Sequence, residues 1–242
     1  MSFHSTVIQR HLAANFSELS LTGAPTDRMS PLLDDLSMRF VLYARSVQGD
    51  LLDIGCGDGI ATAAALTRGA RLYAVDTEEA HLHQLLARVP PVHAPRLRVQ
   101  VGSLPGVNFK FPRFSAVHAS RVLHFLDPLS IQRSLQKFFH WLYPNGKLFL
   151  STFTSEGEYW DFAQSEIVHK KIAEDRWPGY LPDVRALRPH WEGASDTVHL
   201  LDEPILRREL EAAGFEIEYL STYPLPWDSD QMCCAVVARC RE

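Results

Sequence analysis

Seven short apolar segments along the chain have the length and composition of buried β-strands. They lie at 51–54, 70–75, 97–101, 114–120, 147–151, 215–220 and 232–238. Helical periodicity or helix-forming composition occupies much of the intervening sequence, at 60–68, 78–89, 127–142 and 202–213. Strands that alternate with helices in this way predict an α/β domain with a mostly parallel sheet.

The segment that follows the first strand carries the most specific chemical signal. Asp53 precedes a turn with glycine at alternate positions, Gly55-Cys56-Gly57-Asp58-Gly59, and an alanine-rich helix comes next. Alternate glycines let the backbone turn sharply and approach a ligand closely. Asp76 ends the second strand 21 positions after Gly55, the spacing at which a carboxylate reaches a ribose in a βαβ unit. The pattern therefore predicts a cofactor that contains a nucleoside.

The order of the glycines distinguishes between cofactor classes. A dinucleotide fingerprint reads G-x-G-x-x-G, whereas this chain reads G-x-G-x-G with Asp53 before it and Asp58 inside it. Carboxylates at these positions disfavour a phosphate and favour an ammonium or a sulfonium group. Residues 53–59 closely resemble motif I of the class I S-adenosylmethionine-dependent methyltransferases. A nicotinamide- or flavin-linked enzyme and a turn without a ligand are the alternatives.

The resemblance continues over 51–242, and the block at 121–127 is similar to one found in small-molecule methyltransferases. It implies a Rossmann-like α/β fold with a seven-stranded, mostly parallel sheet, an antiparallel last strand and helices on both faces. We expect a single domain over 1–242. Within it, 1–49 would form a helical cover, 50–153 the cofactor-binding core, 154–201 a lid-like acceptor-side insertion after strand five, and 202–242 the last helix and two strands.

The same resemblance implies that S-adenosylmethionine lies beyond the carboxyl ends of the strands. Asp53 would help to hold the amino group, directly or through water, and Asp76 would accept hydrogen bonds from the ribose hydroxyls. The other implied contacts are Gly55, Cys56 and Gly57 beside the methionine and ribose parts, Thr77, Ser103 and Leu104 beside the adenine, and Ser120 beside the methionine part. Ser103 is a departure, because the family often has an acidic residue there.

Candidates for the acceptor side come from two regions. His124 follows strand four and could act as a general base, or it could cap the turn or contact the acceptor. His118 lies inside that strand and is expected to be a core residue. The insertion is rich in aromatic residues, and we expect Tyr159, Trp160 and Trp177 to bind the acceptor. The alternative is a minor core that packs the insertion against the sheet.

Composition narrows the class of acceptor. The 242 residues include 24 Lys and Arg against 29 Asp and Glu, a net charge of −5, which disfavours a nucleic-acid substrate.

Four cysteines without zinc spacing and no paired histidines predict no metal site. No apolar run reaches the length of a membrane span and the N-terminus has no signal-peptide pattern, so we expect a cytoplasmic protein. The oligomeric state is left open.

The function predicted from these features is methyl transfer from S-adenosylmethionine to oxygen or nitrogen of a small organic acceptor, by in-line displacement. The acceptor group is predicted to be either a carboxyl group or a phenol or heterocycle. Two alternatives belong to other classes: a non-catalytic regulatory module that binds S-adenosylmethionine, and a nicotinamide-linked oxidoreductase.

Overall fold

The computed structural model describes residues 33–109, 114–191, 193, 195–226 and 228–241. The amphipathic segment at 5–19 and the predicted helix cap at Ser30 lie outside the described residues. Among the described residues, no helix is both long enough and apolar enough to cross a membrane.

Helices and strands alternate from the start of the described chain. The helices are α1 (Asp35–Ala44), α2 (Ile60–Thr67), α3 (Glu79–Arg88), α4 (Pro128–Trp141), α5 (Gln164–Ile172), α6 (Val184–Leu187) and α7 (Glu203–Ala212). The strands are β1 (Asp50–Ile54), β2 (Arg71–Asp76), β3 (Leu97–Val101), β4 (Phe114–Ser120), β5 (Leu142–Phe153), β6 (Tyr180–Leu181), β7 (Val198–His199), β8 (Phe215–Leu225) and β9 (Asp228–Cys240). Short 3₁₀ turns occupy Ala94–Arg96, Leu123–Phe125 and Glu158–Ala163.

Seven of the strands form one sheet in the order β3-β2-β1-β4-β5-β9-β8. Neighbouring strands from β3 to β5 are parallel, whereas β9 runs antiparallel to both β5 and β8. The Rossmann-like α/β fold with an antiparallel last strand is therefore confirmed. The strand order reverses between β1 and β4, and ligands bind in such sheets beyond the carboxyl ends of the strands at this point.

Two buried cores lie on opposite faces of this sheet. One core packs α4 and α7 against the sheet through residues such as Leu135, Phe138 and Leu206. The other packs α1, α2 and α3 against the opposite face through residues such as Phe40 and Leu66. Helices on both faces are what a parallel sheet needs, because both of its surfaces are apolar.

Local capping fixes where several helices begin. The N-terminus of α1 is capped by Asp34, whose Oδ1 accepts from the Ser37 N–H at 2.7 Å. Asp127 and Pro128 start α4 as the sequence predicts. The sequence of 156–175 is also compatible with one helix, but in the structure a 3₁₀ turn over Glu158–Ala163 precedes α5.

Candidate functional site

The glycine loop between β1 and α2 is held against two neighbouring strands. The N–H groups of Gly55 and Cys56 both donate to the Val75 carbonyl, at 2.7 and 3.1 Å. Gly55 has φ +68°, and a Cβ added there would lie 2.3 Å from Val122 Cγ2. Both the backbone conformation and this close approach require glycine. Val122 lies two residues after β4, so the loop also contacts the segment that carries His124.

Asp76 lies beside this loop at the end of β2. Its Oδ2 accepts from the Gly57 N–H at 2.8 Å, and its Oδ1 accepts from the Glu78 N–H at 3.0 Å. The His81 Nδ1 lies 3.0 Å from Oδ1 as well. The carboxylate is thus oriented by the loop on one side and by the start of α3 on the other, as a ribose-binding group requires.

Asp53 is buried at the end of β1 and takes part in a chain of polar contacts. Its Oδ2 accepts from the Thr62 hydroxyl at 2.6 Å, and its Oδ1 lies 2.8 Å from His118 Nδ1. His118 Nε2 lies 3.1 Å from the Ser37 hydroxyl, and Phe40 stacks on the His118 ring with centroids 4.6 Å apart. His118 is therefore a satisfied core residue, as expected, and it ties α1 to the strand beneath the glycine loop.

Asp53 is held inside the protein by its own contacts. Both carboxylate oxygens already have partners and the residue is almost completely buried. Because Asp53 is only 1% exposed, we expect it to support the loop from below, and direct contact with the amino group is disfavoured.

The remaining predicted cofactor residues lie at the same edge of the sheet. Thr77 and Ser103 are exposed and Leu104 is buried, at the ends of β2 and β3. The Ser120 hydroxyl lies 2.9 Å from the Ser151 hydroxyl, which links the ends of β4 and β5. Cys56 is half-buried in the loop, where burial and then the carboxylates of Asp53 and Asp76 raise the pKa of its thiol.

The charges and the shape of this edge fit a cationic nucleoside. Asp53, Asp58 and Asp76 surround the loop, and Asp58 is paired with Arg88 at 2.6 Å. The backbone is exposed for close approach at the glycines, and Asp76 offers a carboxylate to a diol. These donors and acceptors suit the sulfonium and ribose of S-adenosylmethionine, whereas a pyrophosphate would face negative charge.

His124 is almost completely buried directly after β4. Its ring lies against Phe125 and Phe153, with centroids 3.9 and 4.5 Å away, and its Nδ1 has no hydrogen-bond partner among the described residues. Burial, with a smaller effect of the Arg121 guanidinium, lowers the pKa of His124 to about 3. A neutral imidazole that acts as a general base becomes a cation when it accepts a proton, and burial disfavours that cation. These surroundings therefore disfavour the predicted base role of His124.

A second polar cluster joins the cap of α1, the residue after β4 and a residue of β8: Asp34, Arg121 and Tyr223, of which the sequence pointed to Arg121 alone, as a possible anchor for a carboxylate. Arg121 has φ +55° and donates its N–H to the Ser151 carbonyl at 2.8 Å. Burial, followed by the Asp34 carboxylate, raises the pKa of the Tyr223 phenol, while Arg121 opposes this shift. Asp34 is only 2% exposed, and its carboxylate lies close enough to the Tyr223 phenol to interact with it.

The aromatic insertion forms a core of its own. Trp160 is 2% exposed and packs with Trp191, Ile167 and Val184. Tyr159 is half-buried at the edge of this cluster, 5.1 Å from the Trp160 ring centroid. Trp160 therefore belongs to the minor core, the alternative to the predicted acceptor contact, because its ring has no open surface to offer a ligand.

Trp177 lies apart from that cluster. Its ring meets His199 edge-on at 5.0 Å and lies under the guanidinium groups of Arg176 and Arg208, at 5.9 and 5.2 Å. Both arginines also bind the buried carboxylate of Glu209 on α7, at 2.8 and 2.7 Å. These contacts attach the insertion to α7, and they do not place Trp177 beside His124 or the glycine loop.

Among the described residues, no group of three or more His, Cys, Asp or Glu side chains has the geometry of a metal site.

Comparisons with known proteins point to one family. The profile of a family described as "Methyltransferase domain" matches residues 26–220. A ubiquinone biosynthesis O-methyltransferase from Xanthomonas campestris pv. campestris is 31% identical over 160 residues, and the match spans 62% of each chain.

Two solved structures have a similar fold. A methyltransferase from Methanosarcina mazei, described as S-adenosylmethionine-dependent, has a TM-score of 0.65 at 19% identity, over 83% of this chain and 97% of that one. The 1,6-didemethyltoxoflavin-N1-methyltransferase of Burkholderia thailandensis, solved with its ligand and S-adenosylhomocysteine, has a TM-score of 0.58 at 19% identity, over 86% and 78%.

Proposed function

The chain belongs to the methyltransferase domain family, and from this premise we propose that it is a class I S-adenosylmethionine-dependent methyltransferase that methylates oxygen or nitrogen of a small organic acceptor. The observation that supports this most directly is the carboxylate of Asp76, fixed 2.8 Å from the Gly57 N–H at the edge of the glycine loop. This is where a ribose can bind while its substituents reach the end of β4.

We assign the cofactor to the residues that line this edge. Asp76 accepts hydrogen bonds from the ribose hydroxyls. The backbone at Gly55 and Gly57 lies against the methionine and ribose parts of the cofactor. Thr77, Ser103 and Leu104 border the adenine, and Ser120 borders the methionine part. Asp53 acts indirectly, because its oxygens hold Thr62 and His118 and so fix the start of the loop.

When it is bound, S-adenosylmethionine supplies an electrophilic methyl group on a sulfonium that is already a good leaving group. The work of this chain is to align the acceptor atom behind that methyl carbon and to exclude water. The carboxylates around the loop favour the cationic ligand over its neutral product. The half-buried Phe153 at the end of β5 and the buried His124 after β4, with ring centroids 4.5 Å apart, provide a water-excluding wall.

Several observations support a small acceptor. The net charge of −5 disfavours a nucleic acid. The cluster of Asp34, Arg121 and Tyr223, next to the end of β4, offers polar groups for a compact molecule. One relative is an O-methyltransferase and one structural neighbour an N1-methyltransferase, so both acceptor atoms are to be screened.

We assign His124 to the wall of the site, because an imidazole with a pKa of about 3 stays neutral near pH 7 and is a weak base. We expect His124→Ala to leave the affinity for S-adenosylhomocysteine nearly unchanged and to reduce turnover by less than about tenfold. A loss of about 100-fold or more would instead restore the general-base role.

The first experiment is calorimetric titration of the purified protein with S-adenosylhomocysteine, with reduced nicotinamide dinucleotide as the control. We expect binding of the first and none of the second. Transfer of radiolabelled methyl groups to a panel of phenols, carboxylates, amines and heterocycles then identifies the acceptor. A protein that binds the nicotinamide dinucleotide but not S-adenosylhomocysteine would overturn the proposal.

A further inference from the structure

The carboxylate of Asp76 already has three donors, and one of them is a side chain. The N–H groups of Gly57 and Glu78 donate to Oδ2 and Oδ1, at 2.8 and 3.0 Å. His81 Nδ1 lies 3.0 Å from Oδ1, and because an ionised carboxylate only accepts hydrogen bonds, this nitrogen is the donor. His81 covers Asp76, whose side chain is 8% exposed while that of His81 is 20% exposed.

The three hydrogen bonds to Asp76 leave too few acceptor positions for a ribose. The two oxygens of a carboxylate have about four acceptor positions. Two donors already occupy Oδ1 and one occupies Oδ2, so a ribose diol that brings two hydroxyl groups finds one position open. One of the three existing donors must therefore leave Asp76.

The three donors differ in how freely they can leave. The Gly57 N–H belongs to the glycine loop, and the Glu78 N–H belongs to the turn that starts α3. Moving either one displaces backbone that is packed on the sheet. His81, in contrast, contacts Asp76 through a side chain near the start of α3, and rotation about its own bonds is enough to release it.

We propose that His81 is an affinity-setting residue that occupies the place of a ribose hydroxyl on Asp76 and is exchanged for it when the nucleoside binds. This inference rests on the proposed function, since it assigns the ribose to Asp76. Binding then breaks one internal hydrogen bond to a charged acceptor, which lowers the affinity for substrate and product alike. Weaker retention of the product would chiefly accelerate its dissociation.

The test compares His81→Ala with a matched control on the same helix. His83 is 54% exposed and its nearest charged partner, Glu79, is 4.0 Å away, so His83→Ala removes an imidazole without touching Asp76. In calorimetric titrations of the full chain with S-adenosylhomocysteine, we expect His81→Ala to bind about 3- to 10-fold more tightly than the wild type, since an internal competitor is removed. We expect His83→Ala to bind like the wild type.

Two further measurements separate exchange from a general effect on the fold. In an Asp76→Ala background the gain from His81→Ala should vanish, because the two residues act through one contact. In the wild type, the imidazole nitrogen resonances of His81 should shift on addition of S-adenosylhomocysteine while those of His83 do not. This second measurement needs no variant and stands even if His81→Ala folds poorly.

The outcomes distinguish this inference from the function on which it rests. If the wild type binds S-adenosylhomocysteine and His81→Ala binds equally or more weakly, His81 supports the site and the exchange is refuted. An unshifted His81 resonance at saturation refutes it as well. If the wild type does not bind S-adenosylhomocysteine at all, the failure lies with the proposed cofactor site.

Discussion

Replacement of Gly55 by alanine tests the central claim that the glycine loop is shaped for a ligand. Two costs add at this position. The residue has φ +68°, which costs an alanine roughly 1–2 kcal/mol. The new Cβ would also lie 2.3 Å from Val122 Cγ2, and overpacking of this kind typically costs about 1–3 kcal/mol. We therefore expect Gly55→Ala to lower the free energy of unfolding by about 2–5 kcal/mol.

Gly69→Ala is the matched control. Gly69 also has positive φ, +96°, but the nearest atom to an added Cβ is Arg96 Nη1 at 3.7 Å, which is an ordinary contact. We expect this variant to lose only the backbone cost of roughly 1–2 kcal/mol. Its affinity for S-adenosylhomocysteine should be unchanged, because Gly69 lies at the far end of α2 from the loop.

Urea unfolding followed by tryptophan fluorescence gives the stabilities, and calorimetry gives the affinities. We expect Gly55→Ala to bind S-adenosylhomocysteine at least about tenfold more weakly, a loss of about 1.4 kcal/mol. Adding Val122→Ala should recover part of the lost stability, since it removes the methyl groups that clash. Equal stability losses at Gly55 and Gly69, with unchanged affinity at both, would refute the argument that the loop is closely packed.

Three further predictions concern buried polar groups. Asp76→Ala should weaken S-adenosylhomocysteine binding by roughly 1–3 kcal/mol in calorimetry, and unchanged affinity in the folded variant would place the nucleoside elsewhere. His118→Ala should lower the free energy of unfolding by about 2–4 kcal/mol, because it removes the partner of Asp53 Oδ1 and of the Ser37 hydroxyl and leaves Asp53 with Thr62 alone, whereas exposed His83→Ala should have almost no effect. Acid should destabilise the protein: burial lowers the pKa of His124 to about 3 and that of His199 to about 4, so between pH 6.5 and 4 the unfolded chain binds protons that the folded chain does not. The contribution of these two histidines to stability is complete above pH 6.5. As the pH is lowered below that value, the free energy of unfolding falls by up to about 1.4 kcal/mol per pH unit for each histidine. His199→Asn should reduce this slope in acid titrations of the unfolding free energy.

Much of the fold follows from local sequence. The ends of β3 and β4 and the start of α4 were predicted closely, because alternating apolar runs and an Asp-Pro cap are local signals. The strands β5, β8 and β9 extend beyond their predicted limits. Many of their extra residues are polar or proline, and pairing with a neighbouring strand, which is a non-local contact, makes them strands.

The candidate site divides in the same way. The sequence pointed to Asp76 and the glycine loop through spacing alone, since a βαβ unit fixes the distance between them. It could not show that His81 contacts Asp76 or that both oxygens of Asp53 are engaged by Thr62 and His118. A histidine five positions after the acidic residue, near the start of the next helix, was the available signal for the first of these contacts.

What the sequence by itself determined is the order of elements, the family and the class of cofactor, because these depend on periodicity and on one compact motif. Tertiary structure alone decided which side chains are free to react. His124 and Trp160 look like site residues in the sequence, yet both are buried, one behind aromatic rings and the other in a minor core. Asp34 and Tyr223 are separated by nearly the whole domain in sequence, and folding of the sheet brings their polar atoms to one buried cluster. Burial is set by what packs on a residue from distant parts of the chain, and a single sequence carries that information only through its fold.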